Sequence, residues 1–226
     1  MEIEVIPCEM EVETFARHFP NLGVIETKLS KNIVDNLWKL LEESKKQPDD
    51  MRENLAGNIS KSLRLDSRSP LLDEFTKKVL PALIDKTLDE FGSDWNAFRG
   101  MPAGKVSEEV SWNLESMWVN FQNKHEFNPP HDHSGIYSFV IWMQIPTSFK
   151  EQRKLPIAAK SNSDQLISNF AFQYVDILGN ICSFPIEMEK SREGCMFLFP
   201  SMLNHLVFPF YENDGERISI SGNIDI

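Results

Sequence analysis

The chain has 226 residues, of which 41% are hydrophobic and 25% charged, so it is long and apolar enough for one domain with a sizeable core, and general disorder is excluded. A formal net charge of −11 disfavours nucleic acid as a partner, because the phosphates would be repelled. Three scattered cysteines, an acidic N-terminus unlike a signal peptide, and the lack of any apolar run of ~20 residues predict a cytoplasmic protein with no membrane segment.

The first part of the chain is predicted to be mainly helical. A short strand over 24–27 precedes Ser30, which we expect to cap a helix because apolar residues recur after it at helical spacing. These residues are Ile33, Leu37, Leu40 and Leu41. The polar stretch 42–58, which contains Pro48 and Gly57, is predicted to be a loop.

Ser69 and Pro70 open a second predicted helix, with the proline at the first helical position, where a missing N–H is tolerated. Its apolar stripe extends to Leu88, and Gly92 follows its end. Pro81 lies inside the stripe, and we expect it to kink the helix or to divide it in two.

From about Trp112 the pattern changes to strands joined by glycine and proline turns. Gly179 and Asn180 form a hairpin-type turn, and the stretch 148–167 is predicted to be a variable insertion or a lid. The predicted strands are 116–122, 136–145, 169–176, 181–186, 194–199, 205–210 and 217–223. The sequence therefore predicts an α+β, mainly β fold of one domain, with a helical lead-in over 1–111 and a jelly-roll core over 112–226.

Three of the five histidines are placed as metal ligands would be. On an extended chain residues i and i+2 project to the same face, so His131 and His133 point inward together while Asp132 points away. His205 begins a later strand and supplies a third ligand, which gives a facial set suited to Fe(II). An isolated histidine in a strand is more often a hydrogen-bonded structural residue than a metal ligand, and we interpret His18 as structural. We interpret His125 as a solvated loop residue.

Arg217 lies twelve residues beyond the third histidine and alternates with Ser219 and Ser221 on one face of its strand. A guanidinium buried inside a barrel requires an anion, and its planar fork suits a carboxylate, with a serine hydroxyl as a further donor. Taken alone, Arg217 is better explained by a surface ion pair with Glu212, Asp214 or Glu216. Together with the histidines, the far carboxylate of a dicarboxylate cosubstrate is the better partner.

These residues resemble the iron(II)- and 2-oxoglutarate-dependent oxygenase superfamily, and the chain is similar to its prolyl-hydroxylase-like branch, common in marine bacteria and their phages. The resemblance rests on 131–135 with the following strand, on 199–205 and on 217–219, and it spans about 118–223. It implies a double-stranded β-helix, a jelly-roll or cupin-like barrel, with N-terminal supporting helices that carry no motif.

The resemblance also implies the chemistry of the site. Fe(II) would be bound by His131, His133 and His205, and 2-oxoglutarate by Arg217 with help from Ser219. With O2, such a dioxygenase hydroxylates a C–H bond. By family analogy we expect a prolyl or other peptidyl residue as substrate, and the sequence leaves a free small molecule open as the alternative.

One position departs from the family pattern, which has Asp or Glu where this chain has His133. Either three histidines hold the iron, or a carboxylate completes the site, from Asp132 by a local bend or from Glu126. The sequence His-Asp-His also resembles the thiol dioxygenases, cupin enzymes with three histidines and no cosubstrate, which form the alternative function. A third hypothesis is a non-catalytic cupin-like binding module.

Substrate is expected to enter at the mouth of the barrel. By alternation along their strand, Trp118, Asn120 and Gln122 are predicted to line this entrance, and Tyr137 is a further candidate. Ordinary core packing is an equally good explanation for Trp118. The oligomeric state is left open by the sequence.

Overall fold

The computed structural model describes residues 23–91, 111–160 and 165–226, and within these ranges the fold is mostly β. The strands are β1 (Ile25–Lys28), β2 (Lys61–Arg64), β3 (Asn113–Gln122), β4 (Asn128–His131), β5 (Tyr137–Gln144), β6 (Phe170–Val175), β7 (Ile181–Ile186), β8 (Cys195–Pro200), β9 (His205–Val207) and β10 (Arg217–Asp225). The helices are α1 (Lys31–Lys46), α2 (Leu80–Phe91) and α3 (Phe149–Gln152). Predictions for His18 and Gly92 lie outside the described residues.

The strands form two antiparallel sheets. One has six strands in the order β1-β8-β5-β10-β3-β2, and the other has four in the order β4-β9-β6-β7. Aromatic contacts connect the sheets, with Phe172 on β6 packing 5.1 Å from Phe199 on β8 between ring centroids. The helices α1 and α2 pack against the opposite face of the six-stranded sheet. No helix in the described ranges is both long and apolar enough to span a bilayer.

Helix α1 begins as the sequence predicts. The hydroxyl oxygen of Ser30 accepts a hydrogen bond from the backbone N–H of Ile33, and the predicted apolar stripe is buried against the sheet. Each buried leucine of this stripe contributes roughly 1.5–3 kcal/mol. The loop prediction was wrong over 42–46, which continue the helix: they are Glu, Ser and Lys residues of adequate helix propensity, and Lys45 and Lys46 complement the negative end of the helix dipole.

The second predicted helix is divided as Pro81 requires. A 3-10 turn, Pro70–Leu72, leads into a π-helical turn, Phe75–Val79, and then into α2. The backbone N–H of Leu80 donates to the carbonyl of Phe75, five residues back. Pro81 has no N–H and its ring would clash with the carbonyl four residues earlier, so the wider turn just before it relieves both constraints.

Alternation along the central strands separates two buried faces. On β5, Tyr137, Phe139 and Ile141 pack toward the helices, whereas Val140 and Trp142 point between the sheets. On β3 and β10 the helix-facing positions are also apolar, but the positions between the sheets are polar apart from Trp118. These polar positions are Asn120, Gln122, Arg217, Ser219 and Ser221. The space between the sheets is therefore apolar on the β5–β8 side and polar on the β3–β10 side.

Two strands were not predicted. Strand β2 is only four residues long, and β4 contains two prolines, which break the strand pattern in the sequence. Proline is tolerated in β4 because this strand lies at the edge of its sheet, where N–H groups need no partner strand. The hairpin prediction is confirmed, with Val175 opposite Ile181 and Gly179 at a φ of 85°.

Candidate metal centre

The two sheet-borne histidines are placed by strand register. His131 ends β4 and His205 begins β9, and the two residues face each other in the antiparallel ladder. Their ring centroids are 4.3 Å apart. The edge strand thus carries one ligand of the candidate site and its neighbour carries the second.

His133 is placed by the turn that follows β4. Its backbone N–H donates to the carbonyl of Ser201 at 2.8 Å, and the hydroxyl of Ser201 donates to the carbonyl of Gly135. Gly135 has a φ of 86°, and a side chain there would lie 2.8 Å from the carbonyl oxygen of Ile224. The turn is therefore fixed by glycine and by Ser201, and it directs the imidazole of His133 toward the other two.

The three imidazoles meet with the correct nitrogens inward. Nδ1–H of His131 donates to the carbonyl of Pro129 at 2.7 Å, and Nδ1–H of His205 donates to the carbonyl of Leu203 at 3.0 Å. A carbonyl only accepts, so both neutral rings carry their proton on Nδ1 and present an Nε2 lone pair. Backbone partners of this kind orient metal-binding histidines and set their tautomer.

The distances fit a metal ion. The candidate ligand atoms of all three residues lie within 4.8 Å of one another, and Nε2 of His133 is 3.0 Å from Nε2 of His205. Two nitrogens at this separation require a proton or a cation between them. Adjacent ligands on one metal at ~2.1 Å are about 3.0 Å apart, so these nitrogens are spaced as two such ligands.

Burial keeps the imidazoles neutral. It lowers the pKa of His133 to about 3, with His131 as a second cause, and it lowers the pKa of His131. It also holds the pKa of His205 well below the usual range, helped by the two neighbouring histidines. Neutral imidazole is the form that binds metals, so the set is ready to coordinate at neutral pH without releasing protons.

Neither carboxylate alternative is part of this group. Within the described ranges the metal-capable cluster consists of the three histidines alone. Asp132 is exposed, and the carboxylate of Glu126 accepts hydrogen bonds from the backbone N–H groups of Ser60 and Asn123. The site therefore offers three neutral nitrogen ligands.

A cavity adjoins the histidines between the sheets. About 520 Å³ not occupied by protein atoms, part of it open to solvent, lies next to all three rings. Its walls include Trp118, Asn120 and Ser219, in agreement with the predicted alternation, and Ser221 beside them. A second, outer cleft shares Trp118 and His133 with it, and Trp118 lies against His133 with 5.3 Å between ring centroids.

Arg217 is fully buried just beyond Ser219. Its guanidinium donates to three neutral oxygens: the carbonyl of Ser168 at 2.6 Å, and the carbonyl of Phe208 and the side-chain oxygen of Gln122, both at 3.3 Å. Its Nε–H has no hydrogen-bond partner among the described residues. Burial lowers the pKa of Arg217 to about 9, so the group is still charged at neutral pH. The surface ion pair considered from the sequence is not formed, and Asp214 pairs with Lys124 instead.

Two predicted lining residues lie elsewhere. Gln122 does not line the cavity; its amide donates to the carbonyls of Glu126 and Phe208, and its oxygen accepts from Arg217. Tyr137 is on the opposite face of β5, in the helix-side core against Trp112, and it is not carried into the proposed site.

Other lining residues were missed. Trp142, Phe170 and Asn128 line the inner cavity, as does the segment 55–59, which is joined by a bridge between Asn58 and Phe127 to the residue just before β4. Neither Trp142, on a strand buried on both faces, nor the 55–59 segment carries a sequence signal that identifies it as part of the wall. The predicted lid at 148–167 contributes no described residue to either cavity wall, and Phe149 in α3 hydrogen-bonds to Met188.

Comparison with known proteins is consistent with this geometry. Residues 116–223 match the family described as "Putative 2OG-Fe(II) oxygenase", which supports the 2OG-Fe(II) oxygenase superfamily for this chain. That family implies Fe(II), 2-oxoglutarate and O2 as cofactors, the set predicted from the sequence. No curated protein sequence matches the chain significantly.

Solved structures resemble the chain at low identity. The non-heme alpha ketoglutarate dependent epimerase SnoN from nogalamycin biosynthesis has a TM-score of 0.54 at 10% identity, covering 89% of this chain and 76% of that one. A Pseudomonas putida prolyl-4-hydroxylase scores 0.49 at 15% identity, covering 90% and 92%. A viral collagen prolyl hydroxylase from Paramecium Bursaria Chlorella virus-1, solved with 2OG, scores 0.47 at 12% identity, covering 90% and 96%. At such identities the likeness to SnoN concerns the fold alone.

Proposed function

We propose that this chain, whose strand-rich part matches the 2OG-Fe(II) oxygenase family, is an Fe(II)- and 2-oxoglutarate-dependent dioxygenase that hydroxylates a C–H bond. The observation that carries the proposal is the convergence of His131, His133 and His205 at one wall of a cavity between the sheets. We further propose that the two facing sheets form a double-stranded β-helix supported by α1 and α2. Fe(II), when bound with 2-oxoglutarate and O2, supplies the oxidising chemistry.

The protein's own residues position and shield the reactants. The three histidines hold the metal, and their backbone hydrogen bonds keep the Nε2 atoms inward. Arg217, with Ser219 in front of it, pairs with the far carboxylate of 2-oxoglutarate, since a buried cation without an acidic partner requires an anion. Trp118 separates the inner cavity from the outer cleft and limits the access of water to the metal.

The outer cleft is the proposed binding place for the substrate that is oxidised. It reaches the metal through His133, and its walls carry hydrogen-bonding side chains, including Asn54, Ser134 and Asn223. Such groups match the amides of a peptide backbone, so a prolyl or other peptidyl residue is the proposed substrate class. We propose this substrate class by analogy with the prolyl-hydroxylase-like branch that the sequence resembles.

A three-histidine thiol dioxygenase is the second candidate, favoured by the ligand set itself. The distinguishing experiment measures succinate released from 2-oxoglutarate by the Fe(II) protein under O2, with and without proline-containing peptides. His205→Gln should abolish release, whereas His125→Gln, at an exposed histidine outside the site, should not. Oxidation of a free thiol without 2-oxoglutarate turnover would support the second candidate, and binding of neither metal nor 2-oxoglutarate would indicate a non-catalytic module.

A further inference from the structure

Trp142 lies beside the serine of the proposed cosubstrate site. In the antiparallel pairing of β10 with β5, Ser219 is directly opposite Trp142. Side chains of directly opposed residues lie on the same face of a sheet, with Cβ atoms roughly 5 Å apart. Trp142 and Ser219 both line the inner cavity, and Arg217 lies two positions before Ser219 on the same face of β10. The indole is therefore a neighbour of the two residues proposed to hold the far carboxylate.

The indole nitrogen of Trp142 is buried without a partner. The residue is 1% exposed, and its Nε1 makes no hydrogen bond to any described residue. Indole N–H only donates, and a buried unsatisfied donor costs about 1–3 kcal/mol, so such groups are uncommon in native structures. Nε–H of Arg217 is buried and unpaired in the same way. Two unsatisfied donors thus lie on neighbouring strands, one on Trp142, which lines the cavity, and the other on Arg217, two positions from the lining residue Ser219.

Trp142 lies close to the candidate metal-binding histidines. The ring of Phe170 packs 5.5 Å from the indole of Trp142 and 5.8 Å from the imidazole of His205, so a single aromatic ring separates the two. Donors without any acidic neighbour select an acceptor that carries negative charge.

We propose that Trp142 is a specificity-determining residue, whose indole N–H donates to the far carboxylate of the keto acid that Arg217 and Ser219 bind. This inference rests on the proposed function and adds a donor to it. It predicts that the site distinguishes a 2-oxo dicarboxylate from a 2-oxo monocarboxylate of equal length partly through Trp142. The ring also fills the wall against Phe170, which a phenylalanine at 142 would continue to do.

The test uses the full chain loaded with Zn(II), which replaces Fe(II) without redox chemistry, and measures binding by titration calorimetry. The ligands are 2-oxoglutarate and 2-oxopentanoate, which has a methyl group in place of the far carboxylate. Trp142→Phe should weaken 2-oxoglutarate about tenfold to a hundredfold, the effect of one hydrogen bond to a charged group, and should leave 2-oxopentanoate unchanged. Trp112→Phe, in the helix-side core, is the matched control and should change neither.

A spectroscopic readout keeps the test independent of activity and of the variant's folding. In the ¹⁵N-labelled wild-type protein, 2-oxoglutarate should move one indole N–H resonance downfield, 2-oxopentanoate should not, and the moving resonance should be absent in Trp142→Phe. Binding of 2-oxoglutarate by Trp142→Phe within twofold of wild type, with no indole shift in the wild type, would overturn the inference and leave the proposed function standing. If the wild-type Zn(II) protein binds no 2-oxoglutarate, the proposed function and the inference both fail.

Discussion

The metal-free protein should lose stability as the pH falls below about 6.5, because His133 is buried in its neutral form. Its pKa is lowered to about 3 in the folded chain, whereas an unfolded chain has the ordinary value near 6.5. Between these values the unfolded chain binds a proton that the native state does not, so stability is present above 6.5 and is lost toward pH 3. For this one group the loss between neutral pH and pH 5 is about 2 kcal/mol.

Urea denaturation at pH 7.5 and at pH 5.0, in the presence of a chelator, measures this effect. His133→Asn should show a loss between the two pH values that is smaller than the wild-type loss by about 2 kcal/mol. The exposed His125 gives the matched variant His125→Asn, which should behave as wild type. Since titrating carboxylates are common to all three proteins, they cancel in the comparison. An identical pH dependence for His133→Asn and wild type would show that the imidazole is not buried in its neutral form.

Three further predictions concern the anion site and the core. Arg217→Gln should weaken 2-oxoglutarate binding by more than about thirtyfold while Zn(II) binding is retained, both measured by calorimetry, because only the buried cation is removed. Gly222→Ala should lower the urea midpoint by the equivalent of about 1–3 kcal/mol, since the added Cβ would lie 2.6 Å from the ring of Phe139 and 2.7 Å from a backbone oxygen. Leu37→Ala should cost about 2–5 kcal/mol in the same assay, because Leu37 is completely buried, and should leave the Zn(II) affinity of the folded protein unchanged.

The alternation of apolar and polar residues predicted most of the strands, because it reflects which face of each strand is buried. On β3 and β10 one face is apolar and the other polar, so the inward positions of Asn120, Ser219 and Arg217 follow from the sequence alone. On β5 both faces are buried, and alternation does not reveal which one faces the site. This is why Tyr137 was considered for the site and Trp142 was not.

The remaining parts of the site depend on contacts between segments distant in sequence. The wall around Leu55–Ile59 is held by the bridge between Asn58 and Phe127, and nothing local to that segment predicts the contact. From the sequence, the third candidate ligand, His205, could be identified only as a histidine at the start of a strand. Its position opposite His131 depends on pairing with β4, and the two prolines of β4 prevent that strand from being predicted. The local sequence identified the candidate ligands, whereas their positions around the cavity depend on the tertiary structure.

The ligand set and the arginine together determine what charge the cavity accepts. Three neutral imidazoles leave the full charge of a divalent ion uncompensated, and Arg217 adds a buried positive charge with only neutral protein oxygens around it. A carboxylate in place of His133 would have neutralised part of this charge from within the protein. Because the protein supplies no such carboxylate, the bound ligand must neutralise the charge. A dicarboxylate that binds the metal with one end and Arg217 with the other matches both positive centres. A thiol substrate without a carboxylate would neutralise the metal but leave the buried guanidinium without its anion, so the charge balance of the site requires a ligand that carries an anionic group at each end.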